Sequence, residues 1–362
     1  MAARAATAPQ AAVRPRPKPP WPRRIAAWIV KNLFSSWFNG LLTVASVWFI
    51  SSAAGRVWRW AAETAHWNVI AANLQLFFVG TYPRDQLWRY WVMLAYLLVL
   101  SVLSAACALS ASFRRKALRR LAAPALLFLP FCMFMLWGWP GIAALPPVQT
   151  SSWGGLTLTL ILAGVGIAAS LPIGILLALG RRSSLPVISL FCTLFIEVVR
   201  GTPLVAVIFM AHLLVPVFLP NVTIDRVVRA MIGFTLFTSA YMAENVRGGL
   251  QSVPKGQYEA ALALGMRPAA TMLIVILPQA LRAVLPSIVG QFISLLKDTS
   301  LVAVIGLMDL MGIARTITAN PAWAGLQAEV YLFAALLYWI FCFALSYGSR
   351  RLERMLGIER TA

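Results

Sequence analysis

The sequence predicts an all-α fold, a polytopic membrane helical bundle of about eight transmembrane helices, and three observations carry that expectation. Of its 362 residues, 60% are hydrophobic and only 12% charged, far from the balance of a water-soluble domain. The apolar residues gather in runs of about 20, the length a helix needs to cross about 30 Å of hydrocarbon at about 1.5 Å per residue. The basic residues behind a formal net charge of +20 sit between those runs, the arrangement of positive-inside topology. In a soluble protein such a charge would suggest nucleic acid. No basic helix interleaved with aromatics accompanies it, so nucleic acid is not expected as a partner and membrane lipid is.

Residues 1–24 combine Ala, Pro and Arg without helical periodicity and read as a disordered basic cytoplasmic tail. No cleavable signal peptide is evident, since the first long apolar run begins after residue 30. The expected spans are 33–53, 89–111, 121–140, 156–180, 203–219, 227–246, 272–295 and 329–348. With the N-terminus inside, Arg114, Arg115, Lys116, Arg119 and Arg120 fall inside after two spans and Arg181 and Arg182 after four. Arg247, Lys255 and Arg267 follow after six, and Arg350, Arg351 and Arg354 after eight. Both termini are therefore expected in the cytoplasm, although Arg56, Arg59, Arg84, Arg226 and Arg229 lie on the outer side. The outer loop near 54–88 carries Trp58, Trp60, Trp67 and Trp88, as membrane interfaces favour. Gly201 and Pro203 interrupt the long stretch 185–219, predicting a short helix, a break, and then the span.

Several chemistries lack their residues. The four cysteines, Cys107, Cys132, Cys192 and Cys342, lie far apart inside apolar runs and read as small hydrophobes. His66 and His212 are isolated, so no metal site is expected. No Ser-His-Asp, Cys-His or paired-carboxylate arrangement stands out. A phosphate-binding Gly-x-x-x-x-Gly-Lys-Ser/Thr loop is also missing from the sequence.

From Trp153 onward, motifs follow in a recognisable order: WGGLTLTL at Trp153, RGTPL at Arg200, AYMAENVRGG at Ala240, VPKGQYEAA at Val253, LPQA at Leu277 and KDTSL at Lys297. In this stretch of about 200 residues the chain resembles the permease subunits of polar amino-acid ABC importers. The most diagnostic match is the loop such permeases present to their ATPase, read here as Glu259, Ala260, Ala261, Gly265, Val275, Leu277 and Pro278, with Val275 in place of Ile. The resemblance implies a C-terminal five-helix type I ABC permease core over 151–350, a membrane extension with three spans over 25–150 and a cytoplasmic tail over 351–362. The extension resembles that of the larger subunit of general L-amino-acid importers.

The resemblance further implies a bacterial inner-membrane transport subunit with no enzymatic activity of its own. Its partners would be an ATPase subunit dimer holding ATP and Mg, a second permease, unlike or a second copy, and a periplasmic amino-acid-binding protein. The docking loop would comprise Gln257, Tyr258, Glu259, Ala260, Ala261, Leu262 and Gly265. Local chemistry suits a short helix there: Pro254 fits a first turn, the Glu and Ala run favours helix, and Gly265 can take the left-handed terminating conformation. Helical spacing puts Tyr258, Ala261 and Leu262 on one face as an apolar knob for the ATPase.

Ionisable groups at membrane depth usually face a bundle interior, a water-filled cavity or one another. Arg200, Thr202, Glu244, Lys297, Asp298 and Thr299 are the candidates for substrate pathway or gate. Lys297 and Asp298 fit two readings: opposite charges for an amino acid's ends, or an ion pair with each other or with Arg200 and Glu197. Glu244 and Arg247 stand at the spacing of an intrahelical pair, read first as a plain interfacial salt bridge, with a role in the cytoplasmic gate as the alternative. Two rivals to a transport subunit are a membrane-embedded enzyme using Glu197, Glu244 or Asp298, and a scaffold that holds an ATPase without moving substrate.

Overall fold

The computed structural model describes residues 21–109, 114–218, 221, 224–355 and 357. Among them every named element is helical, with one isolated bridge between Gly155 and Asp309. The chain divides into two compact units, Met1–Ala65 and His66–Ala362. In the first, α1 (Trp21–Leu33) already begins inside the stretch expected as a disordered tail; the rest of that tail lies outside the described residues. α2 (Trp37–Arg59) follows, capped by the Ser36 side chain, which accepts from the Asn39 N–H. None of its residues is buried within the chain.

The second unit contains α3 (Asn68–Val79), α4 (Trp88–Leu109), α5 (Arg114–Trp137), α6 (Gly155–Arg181), α7 (Pro186–Gly201) and α8 (Leu204–Phe218). It continues through α9 (Arg226–Ser252), α10 (Lys255–Ala263), the single turn α11 (Pro268–Ala270), α12 (Leu277–Asp298), α13 (Leu310–Ala319) and α14 (Gln327–Met355). The expected boundary at 150/151 falls inside this unit, and α14 extends past 351, where a tail was expected.

α6 and α9 form the central pair, and α7, α8 and α12 pack around α9. Close approach explains the pairing: a Cβ on Gly174 would lie 2.4 Å from the Met242 Cβ and 3.0 Å from the Ser239 carbonyl oxygen. Small residues let helices in membranes come together this closely. At the break expected from Gly201 and Pro203, α7 and α8 bend by 113°, and Thr202 is extended, as a residue before proline prefers.

Five helical stretches among the described residues are long and apolar enough to span a membrane, or six if α7 and α8 form one bent span. The remaining expected spans are helical for other reasons. α9 carries Arg229, Glu244 and Arg247, but fifteen of its residues are buried by neighbouring helices, so its surface need not suit lipid. In α5, Arg114, Arg115, Lys116, Arg119 and Arg120 occupy the first turns, leaving 127–137 as a short apolar segment. Besides α1, two helices, α3 and α13, were not expected. α3 arises within the supposed outer loop and packs on α6, α13 and α14, while α13 lies between the last two spans.

Fully buried Arg89, at the start of α4, fixes the end of α5. Its guanidinium donates to the carbonyl oxygens of Met135 at 2.9 Å and Pro146 at 2.7 Å and to Gln86 Oε1 at 3.0 Å. A cation at the carbonyl end of a helix is favoured by the helix dipole.

Candidate functional site

The segment after α9 forms the expected short helix. Pro254 precedes α10, and Gly265 ends it at φ +80. The Gly265 N–H donates to Leu262 O at 2.9 Å and the Met266 N–H to Ala261 O at 3.2 Å, the paired bonds of a glycine-terminated helix. Of the expected knob, however, only Leu262 is exposed; Tyr258 and Ala261 are turned inward. Ala261 is only 5% exposed, and Tyr258 packs with Met272 and Val275 against a core of α6, α7, α9 and α12 residues. The supposed partner face is thus the anchor that holds α10 to its own chain. Glu259, Ala260, Ala263 and Leu264 are exposed, Leu262 is at the edge of that surface, and Leu264 is 84% exposed. Gln257 accepts from Gln279 Nε2 at 3.3 Å, linking α10 to α12.

A polar cluster lies at the same end of the bundle. Arg247 binds both oxygens of Glu244 on α9, the expected spacing realised as a bidentate pair. Arg200, at the end of α7, reaches Glu244 at 3.5 Å, and Arg181, at the end of α6, reaches Glu244 at 3.6 Å and Glu197 at 3.0 Å. Three helices are therefore joined through two carboxylates. Thr202 is satisfied locally, its hydroxyl donating to Val198 O at 2.8 Å.

Lys297, Asp298 and Thr299 lie at the far end of α12, away from this cluster, so the expected pairing with Arg200 and Glu197 is not formed. Nor do Lys297 and Asp298 pair with each other among the described ion pairs. Lys297 is exposed, Asp298 half-buried, and the buried Thr299 hydroxyl donates to Leu296 O at 2.7 Å. The geometric reason is simple: α12 is 22 residues long, which at about 1.5 Å per residue separates its ends by most of a membrane thickness.

Sequence reasoning missed Arg181 as a partner in the cluster; its only signal was a basic residue at a span end. It also missed buried Asp309, which caps α13 by accepting from the Gly312 and Met311 N–H groups and from the Tyr338 hydroxyl at 3.1 Å. An Asp directly before an apolar helical run was its available signal. Beside it, Gly155, at φ +60, donates to Met308 O at 2.8 Å, where a Cβ would meet Phe77 O at 2.4 Å.

α12 itself presents an unusual outer face. Gln279, Ala283, Ser287, Gly290 and Lys297 recur at helical spacing and are all exposed, while Ala280, Ile288 and Leu295 face the core. A span exposing small and polar side chains along its length is poorly matched to lipid.

Residues 170–357 match the model of the family described as binding-protein-dependent transport system inner membrane component. The chain belongs to this family. As such a component, it is similar to the inner membrane amino-acid ABC transporter permease protein YhdY of Escherichia coli, 44% identical with 96% of this chain and 97% of that protein covered. It is also similar to the glutamate/glutamine/aspartate/asparagine transport system permease protein BztC of Rhodobacter capsulatus, at 35% identity over 94% of this chain and 96% of that one. A crystal structure of an amino acid ABC transporter with histidines matches 56% of this chain and 92% of its own at 33% identity and a TM-score of 0.50. The structural match thus covers little more than half of this chain, whereas the two relatives above match it over nearly the whole length.

Proposed function

We propose that this permease component of an amino-acid ABC transporter forms half of a substrate pathway and takes its driving motion from a separate ATPase through residues 257–265. The observation that carries the coupling role is Leu264, a large apolar side chain held out at 84% exposure beside a glycine-terminated turn. Outside the spans, such a side chain suits an apolar groove on a partner. Tyr258 packs the same helix against the core that α9 shares with the segment leading into α12, so a push on Leu264 is carried into both. The chain lacks a phosphate-binding loop of its own, so ATP and Mg belong to the ATPase subunits.

The small and polar face of α12 supports pairing with a second permease, unlike or identical, across a water-accessible path. Residues 25–150 then act as a membrane extension, 151–350 as the transport domain, and both termini face the cytoplasm, as the basic loops favour. Relatives named for amino acids point to free amino acids as cargo, delivered by a periplasmic binding protein.

The test is reconstitution with the ATPase, second permease and binding protein, followed by uptake of a radiolabelled mixture of the protein amino acids. ATP-dependent accumulation is expected. In the Leu264→Asp variant uptake should fall at least about tenfold as the ATPase dissociates, because a charge would enter an apolar pocket. Unchanged uptake with the ATPase still bound would refute the docking role, and an assembled complex that moves no amino acid would leave only a scaffold.

A further inference from the structure

The polar cluster at the bend of α7 and α8 holds three guanidinium groups, from Arg181, Arg200 and Arg247, against two carboxylates, from Glu197 and Glu244. These groups do not share the carboxylates equally. Glu244 is engaged by Arg247 through both oxygens, and Arg181 sits 3.0 Å from Glu197. Arg200 comes only within 3.5 Å of Glu244, beyond the usual range of an N–H···O bond. Its Nε is shut off from solvent and has no hydrogen-bond partner. A buried donor on a cation without an acceptor is costly, and where one persists it calls for an explanation.

The surroundings hold Arg200 in place but give it only a shared counter-charge, Glu244 at 3.5 Å. Its guanidinium carbon lies 5.6 Å from the centre of the Tyr241 ring, within reach of a cation–π interaction, and the Tyr241 hydroxyl donates to the Arg200 carbonyl oxygen at 3.4 Å. The next residue adds no bulk: a Cβ at Gly201 would meet nothing within 4 Å. One turn earlier on the same helix, the Glu197 side chain is 54% exposed. A loosely paired cation, 32% exposed, and a half-exposed carboxylate held from its other side by Arg181 therefore stand three residues apart on α7, the spacing at which helical side chains are neighbours.

We propose that Arg200 is the subsite for the α-carboxylate of an amino acid passing the bend between α7 and α8, with Glu197 receiving its ammonium group. The site rests on the transport function proposed above. It moves the pair of opposite charges that a zwitterion needs from Lys297 and Asp298 to Glu197 and Arg200. Arg suits the task because its planar fork can meet both oxygens of a carboxylate. A carboxylate on the exposed part of the guanidinium offsets the surplus positive charge that leaves Arg200 loosely paired, so cargo of net positive charge gains less from the site than neutral or acidic cargo.

The test uses the complete permease–ATPase complex in nanodiscs without binding protein, with equilibrium binding of radiolabelled L-glutamine as the readout. Unlabelled L-glutamine should displace the label at least about tenfold better than its α-amide, which lacks the carboxylate and its charge-assisted bonds. Arg200→Gln should weaken binding by a similar factor and Arg200→Lys should recover part of it, which a merely structural contact would not predict. Equal displacement by the α-amide, no binding of L-glutamine, or full binding by Arg200→Gln would each overturn the subsite. The displacement comparison needs no variant, so it decides the matter even if Arg200→Gln does not assemble. Uptake by the wild-type complex, measured in parallel with binding protein and ATP, separates the two ideas: uptake without carboxylate dependence sinks the subsite alone, and no uptake at all sinks the transport reading.

Discussion

α7 and α12 are both apolar helices on the outside of the same unit, yet they expose opposite kinds of surface. α7 presents Val187, Leu190, Phe191, Leu194 and Val198, with Phe191 at 65% exposure. α12 presents Gln279, Ala283, Ser287, Gly290 and Lys297. Large side chains of the first kind are as well solvated by lipid tails as by protein. Those of the second gain nothing from lipid and leave room for another backbone or for water. Both helices are apolar on average, α7 the more so; what sets them apart at the surface is which residues folding leaves uncovered.

The largest effect is expected where small residues are already covered. Gly174→Leu would drive a side chain into Met242 and Ser239 across the α6–α9 contact, and overpacking of this kind costs roughly 3 kcal/mol or more. Loss of the monodisperse peak in detergent gel filtration is the expected result; a normal peak would show that α6 and α9 can separate cheaply.

Next comes Gly290→Phe, which tests the α12 face alone, because a Cβ at Gly290 meets nothing in its own chain. Folding should be preserved while pairing with the second permease and amino-acid uptake fall at least about tenfold, as a bulky group wedges apart a close helix contact. Uptake at the wild-type level would make α12 a lipid-facing helix like α7 and break the contrast.

The smallest effect should come from Phe191→Leu, which exchanges one lipid-compatible side chain for another. Thermal midpoint and uptake are expected to stay within error of the wild type. A substantial loss would mean that α7 too is covered by a partner. Cysteines placed at Val187 and Ser287 give an independent check, since only the latter is expected to cross-link to the second permease.

Features set by neighbours in the chain were legible in the sequence. Pro203 makes Thr202 extended and divides α7 from α8; Gly265 supplies the left-handed turn after α10; Glu244 and Arg247 pair because a helix brings residues three apart together. Features that need a second element were not. Tyr258 and Ala261 do share a face, but only the packing of α10 on Met272 and Val275 shows that this face is inward. Arg181 and Glu197 meet because the ends of α6 and α7 converge, and α3 was hidden because a 12-residue helix is too short to register as a span.

The sequence alone therefore determined the membrane class, the helical character, the family motifs from Trp153 onward and the local punctuation of the docking loop, because hydropathy, helical period and backbone preference act over a few residues. Only the tertiary structure decided that Leu264 rather than Tyr258 points outward, that Glu244 gathers arginines from three helices, and that α12 leaves a small, polar face uncovered. Those outcomes depend on how helices far apart in the chain cover one another, and a helix's own sequence does not say which of its faces will be left bare.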